Sequence, residues 1–244
     1  MTVNAVLFDL DNTFYPYPPC HRAGSDAALE TARDRGYDVD RDSFEALYRD
    51  GRREVKRELS GTAATHNRFC YFKRALERRV GEPRPADALA LGEAYWEAYV
   101  DAIALFPGVT ETLETLRERG IDVGVVTNLT TRVQLEKLAA LGLEESIDLL
   151  LTSEETGREK PGSVMFTLPL SRLGSRPSEA VMVGDDIEAD VAGANAVGLE
   201  TVLFDPDLDT ESDGDPAGGV DPLAGDREPD HRIDDFAAVL EVIE

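Results

Sequence analysis

Residues 5–13 read Ala5-Val6-Leu7-Phe8-Asp9-Leu10-Asp11-Asn12-Thr13. Four apolar residues in a row suit a short strand buried on both faces, and the polar residues after Phe8 mark its exit into a loop. Comparable runs recur at residues 123–126, 149–151, 180–183 and 201–204. From Val109 onward they alternate with amphipathic helical patterns. Leu113 and Leu116 face inward with Arg117 and Arg119 outward, and Val133, Leu135, Leu138 and Leu141 form a stripe closed by Gly142. Strand, helix, strand repetition predicts an α/β fold with a Rossmann-like parallel sheet as the core of three α/β/α layers.

Between residues 15 and 104 the pattern changes. Ala28 and Ala32; Phe44, Leu47 and Val55; Phe69, Phe72 and Leu76; Leu89, Leu91, Tyr95 and Tyr99 follow helical spacing, with no strand-like run among them. About four helices are expected there as an insert after the first strand. Pro16, Pro18 and Pro19 at one end and Pro107 with Gly108 at the other punctuate the joints, as hinge-like connections do. The expected division is a core of residues 1–14 and 105–244 and an all-helical insert of residues 15–104. Within the core, residues 205–231 are crowded with Asp, Gly and Pro and read as a solvated acidic loop. Ile233, Phe236, Val239, Leu240 and Ile243 recover helical spacing, so residues 232–244 are expected to form a terminal helix docked on the core.

The 244 residues carry 49 acidic against 25 basic side chains, a formal net charge of -24, and lysine occurs only at Lys56, Lys73, Lys137 and Lys160. Such a balance matches salt-adapted cytoplasmic proteins and repels nucleic acid and anionic membrane, both of which bind through excess Lys and Arg. Cys20 and Cys70 stand alone, which argues against a disulfide framework or a zinc site. No run approaches the roughly 18 apolar residues of a membrane span, and the start has no basic region before an apolar stretch. The expected protein is cytoplasmic with a small-molecule substrate; its oligomeric state is left open.

Three apolar runs end in polar residues: Phe8 leads to Asp9, Val126 to Thr127 and Asn128, and Val183 through Gly184 to Asp185. Ligands of open parallel sheets bind beyond the carboxyl ends of the strands, so these residues should converge on one rim. An Asp-x-Asp pair means little by itself here. With about one residue in five acidic, on the order of ten such spacings arise by chance, and Asp38 with Asp40 or Asp213 with Asp215 are examples. The buried strand before Asp9 and the ordered polar residues elsewhere supply the weight.

Together, Asp9-Leu10-Asp11-Asn12-Thr13, Thr127, Lys160 with Pro161, and the run from Gly184 through Asp185 and Asp186 to Asp190 resemble the four ordered motifs of the haloacid dehalogenase superfamily. The resemblance covers residues 3–8 and 106–204, and the insert resembles that superfamily's helical C1 cap. It implies a Mg2+-dependent phosphatase that hydrolyses a small phosphorylated metabolite through an aspartyl-phosphate intermediate. Asp9 would be the nucleophile and Asp11 the general acid and base. Thr127, Asn128 and Lys160 would bind the phosphate. The metal would be held by the carboxylates of Asp9 and Asp185 and the backbone carbonyl of Asp11, with Asp186 and Asp190 in support. Gly184 would let the backbone bend close to the metal.

Two bland readings stand beside these: Thr127 as an N-cap of the following helix, and Lys160 as a surface lysine before a turn. A haloacid dehalogenase-type hydrolase is an alternative, although such enzymes carry an aromatic residue where this chain has Asp11. A receiver-like or inactive phosphate-binding protein is another, although receivers have no helical insert after the first strand. In the insert, His66 and Arg68 are candidate substrate contacts. Arg52, Arg53 and Arg68 read more simply as solvated helix-face charges, and His66 equally well as a helix cap.

Overall fold

In the computed structural model, which describes residues 2–206 and 225–243, six parallel strands form one sheet in the order β3-β2-β1-β4-β5-β6. The strands are β1 (Ala5–Phe8), β2 (Asp122–Thr127), β3 (Leu149–Thr152), β4 (Ala180–Gly184), β5 (Glu200–Phe204) and β6 (His231–Ile233). β1 is central and buried on both faces. Val6 and Phe8 join Leu113, Leu116 and Phe236 on one side, while Ala5 and Leu7 join Phe166 and Leu170 on the other. This two-sided burial is why the strands read as continuous apolar runs rather than alternating ones.

Four helices follow β1: α1 (Tyr17–Asp34), α2 (Arg41–Glu58), α3 (Arg68–Val80) and α4 (Pro85–Asp101), with a 3₁₀ turn at Ala63–His66. The chain leaves the sheet through Phe14 and returns through Phe106, and the Phe106 amide donates to the Phe14 carbonyl at 2.9 Å. Beyond lie α5 (Val109–Glu118), α6 (Thr131–Leu141), α7 (Ser153–Thr156) and α8 (Val164–Leu173). A short helix α9 (Gly193–Asn195) precedes β5, and α10 (Val239–Val242) ends the described chain.

Several expectations need correcting. The last residue of the anticipated acidic loop and the first two of the anticipated terminal helix form β6, which takes its strand geometry from pairing with the edge of β5, Val202 opposite His231 and Phe204 opposite Ile233; residues 207–224 of that loop lie outside the described residues. Instead of one terminal helix there is a 3₁₀ turn at Phe236–Ala238 followed by α10. Leu135 and Leu89, both placed in apolar stripes, are 54% and 52% exposed. The buried face of α6 is instead Val133, Gln134, Lys137 and Leu138.

Candidate active site

The parallel register brings the ends of β1, β2 and β4 level, since Phe8 pairs with both Val125 and Val183. The Asp9 amide continues the ladder by donating to the Val183 carbonyl at 2.9 Å, which fixes the first residue beyond the strand. Asp9, Asp11, Asn128, Lys160, Asp185, Asp186 and Asp190 thereby line one cleft of about 240 Å3, whose opposite wall comes from α1, α2 and α3.

Lys160 is the electrostatic centre. It is buried, and its Nζ lies 2.6 Å from Asp9 Oδ1 and 2.6 Å from Asp190 Oδ1. Asn128 holds it in place with its side chain. Asn128 Oδ1 accepts from the Lys160 amide at 2.8 Å, and its Nδ2 donates to the Lys160 carbonyl at 3.3 Å. The surface-lysine reading is excluded by this burial. Burial pushes the Asp9 carboxyl well up; Lys160 opposes that push, while Asp190, Asp185 and Asp11 add to it.

Asp185 leaves β4 and receives a hydrogen bond from Asn12 Nδ2 at 2.8 Å. Asn12 reaches it from a left-handed backbone, φ 64°, a region that asparagine tolerates better than most residues. Burial, then the neighbouring Asp190 carboxylate, pushes Asp185 up to about 7. Asp186 is a structural cap, its Oδ1 accepting from the Glu188 and Ala189 amides at 2.9 and 2.8 Å. The turn that follows, Ile187–Ala192, is wide, with the Val191 amide reaching back to the Asp186 carbonyl. Such wide turns are frequent at functional sites. This one returns the Asp190 carboxylate to Lys160 and to the Asp186 amide, 3.1 Å from its Oδ2. Gly184 is required at this spot because a Cβ there would collide with the Asp190 carboxylate.

Thr127 is fully buried at the end of β2, and its hydroxyl accepts from Gln134 Nε2. It does not cap α6, whose N-cap position is Thr130. Asp11 is held by residues that apolar periodicity passed over. Lys137, itself buried, pairs with Asp11 Oδ1 at 2.5 Å; the Tyr15 hydroxyl donates to the same oxygen, and Gln134 Nε2 lies 3.3 Å from Oδ2. Burial raises the Asp11 carboxyl, but Lys137 and then the Tyr15 and Gln134 hydrogen bonds overcome it and hold the group below its ordinary range. Lysine scarcity was the available signal: two of the four lysines are buried here, Lys137 and Lys160.

In the helical wall, His66 does not cap α3; Asn67 does, its Oδ1 accepting from the Phe69 amide at 2.9 Å. The His66 ring instead lies 3.2 Å from Glu159. Arg53 is a solvated charge beside Asp50, as expected, but Arg68 is only 5% exposed and belongs to the interior.

The donor set fits a hard divalent cation. Asp9, Asp185 and Asp190 each offer a carboxylate oxygen within 4.8 Å of the others. Both Asp190 oxygens already accept hydrogen bonds, so Asp9 and Asp185 are the better-placed protein donors. A buried carboxylate against a buried ammonium, with more negative charge than one lysine balances, makes the carboxyl edge of this parallel sheet suited to a cation.

The haloacid dehalogenase-like hydrolase family matches residues 3–198. Ribulose-1,5-bisphosphate 5-phosphatase of Halopiger xanaduensis is 61% identical over 239 residues, 98% of each chain. Glyceraldehyde 3-phosphate phosphatase of Methanopyrus kandleri is 33% identical over 99% of this chain and 97% of that protein. Among solved structures, a 2-haloacid dehalogenase from Pseudomonas syringae superposes with a TM-score of 0.73 at 24% identity, covering 99% and 98% of the two chains. The HAD phosphatase of Thermococcus onnurineus gives 0.72 at 24% identity, covering 100% and 98%; both likenesses speak to the fold alone. The chain belongs to the haloacid dehalogenase-like hydrolases. With phosphatases among its nearly full-length relatives, it is an enzyme of the phosphoric monoester hydrolase type. Its acidic composition is consistent with the Halopiger relative, and no helix of the described residues is long and apolar enough to cross a membrane.

Proposed function

We propose that the protein is a Mg2+-dependent phosphatase for a small phosphorylated metabolite, with Asp9 as covalent nucleophile. The observation that carries this reading is Lys160 Nζ at 2.6 Å from Asp9 Oδ1, in a cleft that also gathers Asp11 and Asp185. Asp9 attacks phosphorus, the ester P–O bond breaks, and Asp11 gives its proton to the departing alkoxide. Water then attacks the aspartyl phosphate, Asp11 takes its proton, and the bond to Asp9 breaks to release phosphate. The proton Asp11 gains in the second step is the one it gives to the next leaving group. Lys160 neutralises the phosphoryl oxygens and Asp9 together, and the Thr127 hydroxyl and Asn128 amide complete the phosphate cradle. Asp9, Asp185 and the Asp11 carbonyl would hold Mg2+, which supplies positive charge to the transferring phosphoryl group.

The 61% identical relative makes ribulose 1,5-bisphosphate the first substrate to test, with glyceraldehyde 3-phosphate second. We assign residues 15–104 as a cap over the core of residues 1–14 and 105–244, since the cleft lies between these two parts of the chain. The free thiols of Cys20 and Cys70 support a cytoplasmic location.

Hydrolysis of p-nitrophenyl phosphate should stop in excess EDTA and return on adding magnesium; a rate indifferent to chelation overturns the metal assignment. Lys137→Met tests the hold on Asp11. Without the ammonium, burial raises the Asp11 carboxyl, so the acid limb of the kcat–pH profile should move to higher pH while turnover falls roughly tenfold. An unmoved limb would reduce Lys137 to packing.

A further inference from the structure

Arg68 is a buried cation with an unfinished shell. Its Nη1 donates to the His66 carbonyl at 2.6 Å and its Nη2 to the Tyr17 hydroxyl at 2.9 Å, while Nε has no partner. Its guanidinium carbon lies 5.3 to 6.0 Å from the ring centres of Tyr17, Tyr71, Tyr95 and Trp96. Every one of these neighbours is neutral. In a chain of net charge -24, where Arg35, Arg41, Arg74 and Arg78 all find carboxylates, this is a conspicuous omission. An uncompensated buried charge is costly, and a ligand that brings the counter-charge removes the cost.

Arg68 shares its cleft with Arg52 and Lys56 of α2 and with His66. Neither Arg52 nor Lys56 is ion-paired among the described residues, and the one acidic side chain in contact with this group is Glu159, against His66. Burial, then Arg52 and Arg68, lowers Lys56 against the opposing pull of Glu159 and Asp186, and burial, then Arg68 and Arg52, lowers His21 to about 4. The cleft is therefore dipolar. One end holds Asp9, Lys160 and the cation donors; the other gathers Arg52, Lys56 and Arg68, none of them ion-paired among the described residues, with Glu159 set against His66.

We propose that Arg68, Arg52, Lys56 and His66 form a second anion subsite that binds a phosphate at the far end of a substrate whose scissile phosphate sits at Asp9. This rests on the phosphatase reading and narrows it to doubly phosphorylated metabolites. Aromatic walls around Arg68 keep its guanidinium charge poorly solvated, which strengthens its bond to an entering dianion. They also make it the part of the subsite that salt screens least, whereas Arg52 is exposed and screened.

The matched pair ribulose 1,5-bisphosphate and ribulose 5-phosphate differs only in the distal phosphate. The wild-type protein should prefer the bisphosphate in kcat/KM, and the double variant Arg52→Ala/Lys56→Gln should lose roughly tenfold to a hundredfold of that preference, chiefly through KM. Arg68→Met should lose more, and its loss should persist in molar potassium chloride. A preference ratio unchanged within twofold in the α2 variant and in Arg68→Met overturns the subsite, and so does an equal loss on both substrates, which marks a structural role. If Arg68→Met does not fold, the α2 variant decides. Calorimetric binding of both sugars to Asp9→Asn protein, with and without the α2 substitutions, separates the two hypotheses. Absence of turnover with a retained bisphosphate preference sinks the phosphatase reading alone, and turnover with no preference sinks the subsite alone.

Discussion

Asp9→Asn should lower turnover of any phosphomonoester by at least about 10⁴-fold and leave the fold intact. The amide keeps the shape of the side chain, and the backbone bond from the Asp9 amide to the Val183 carbonyl is untouched. Lys160 retains Asp190 at 2.6 Å, so no ammonium is left buried alone. Stability should even improve in the absence of metal. The folded carboxyl of Asp9 is raised above its unfolded value, by burial first and despite Lys160, so its contribution is present at low pH and is lost as pH climbs from the ordinary carboxylate range. The neutral amide removes that loss. Thermal unfolding in EDTA at pH 5 and pH 8, beside single-turnover assays with magnesium, checks both halves. Near-normal turnover rejects the nucleophile; loss of activity together with a collapsed melting temperature says only that Asp9 is structural.

What the sequence made legible were the features that announce themselves by apolar continuity. All five anticipated strands are present because strands buried on both faces are mostly apolar, and their ends locate Asp9, Thr127 and Asp185. The same reasoning failed where polar groups are buried. On α6, Leu135 was expected in the core and is exposed, while Lys137, outside the expected apolar stripe, is buried, because Asp11 compensates the ammonium across the fold. The buried face of α6 runs through 133, 134, 137 and 138, and the polar Gln134 and Lys137 at two of those positions hid it. The burial of Arg68 was invisible for the same reason, its cage being assembled from α1, α3 and α4. β6 escaped because His231-Arg232-Ile233 has no apolar run; the exposed edge of β5 supplies the order. Whether a polar side chain is buried depends on partners distant in the chain, which periodicity does not encode.

Lys160→Met should be the most damaging single substitution at the site for stability, and it should slow turnover as well. The side chain keeps its length and apolar stem, so packing is nearly preserved, but Asp9 and Asp190 then face each other with no cation between them. Removing one partner of a buried pair typically costs about 3–5 kcal/mol. Part of that cost is escaped by protonation. With the lysine gone, the carboxyls that burial already raises go higher still, so the metal-free variant should lose stability as pH rises and recover it in mild acid. Turnover should fall by roughly 10³-fold, because the phosphoryl oxygens lose their fixed point charge and Asp9 is no longer held as a carboxylate. Adding Asp190→Asn to this variant separates the two effects. The double variant relieves the carboxylate repulsion, so its melting temperature at pH 8 should return toward that of the wild type while its turnover stays low. Recovery of both would mean that Lys160 serves only to neutralise Asp190. Recovery of neither would mean that the wide turn carrying Asp190 depends on the lysine for its shape.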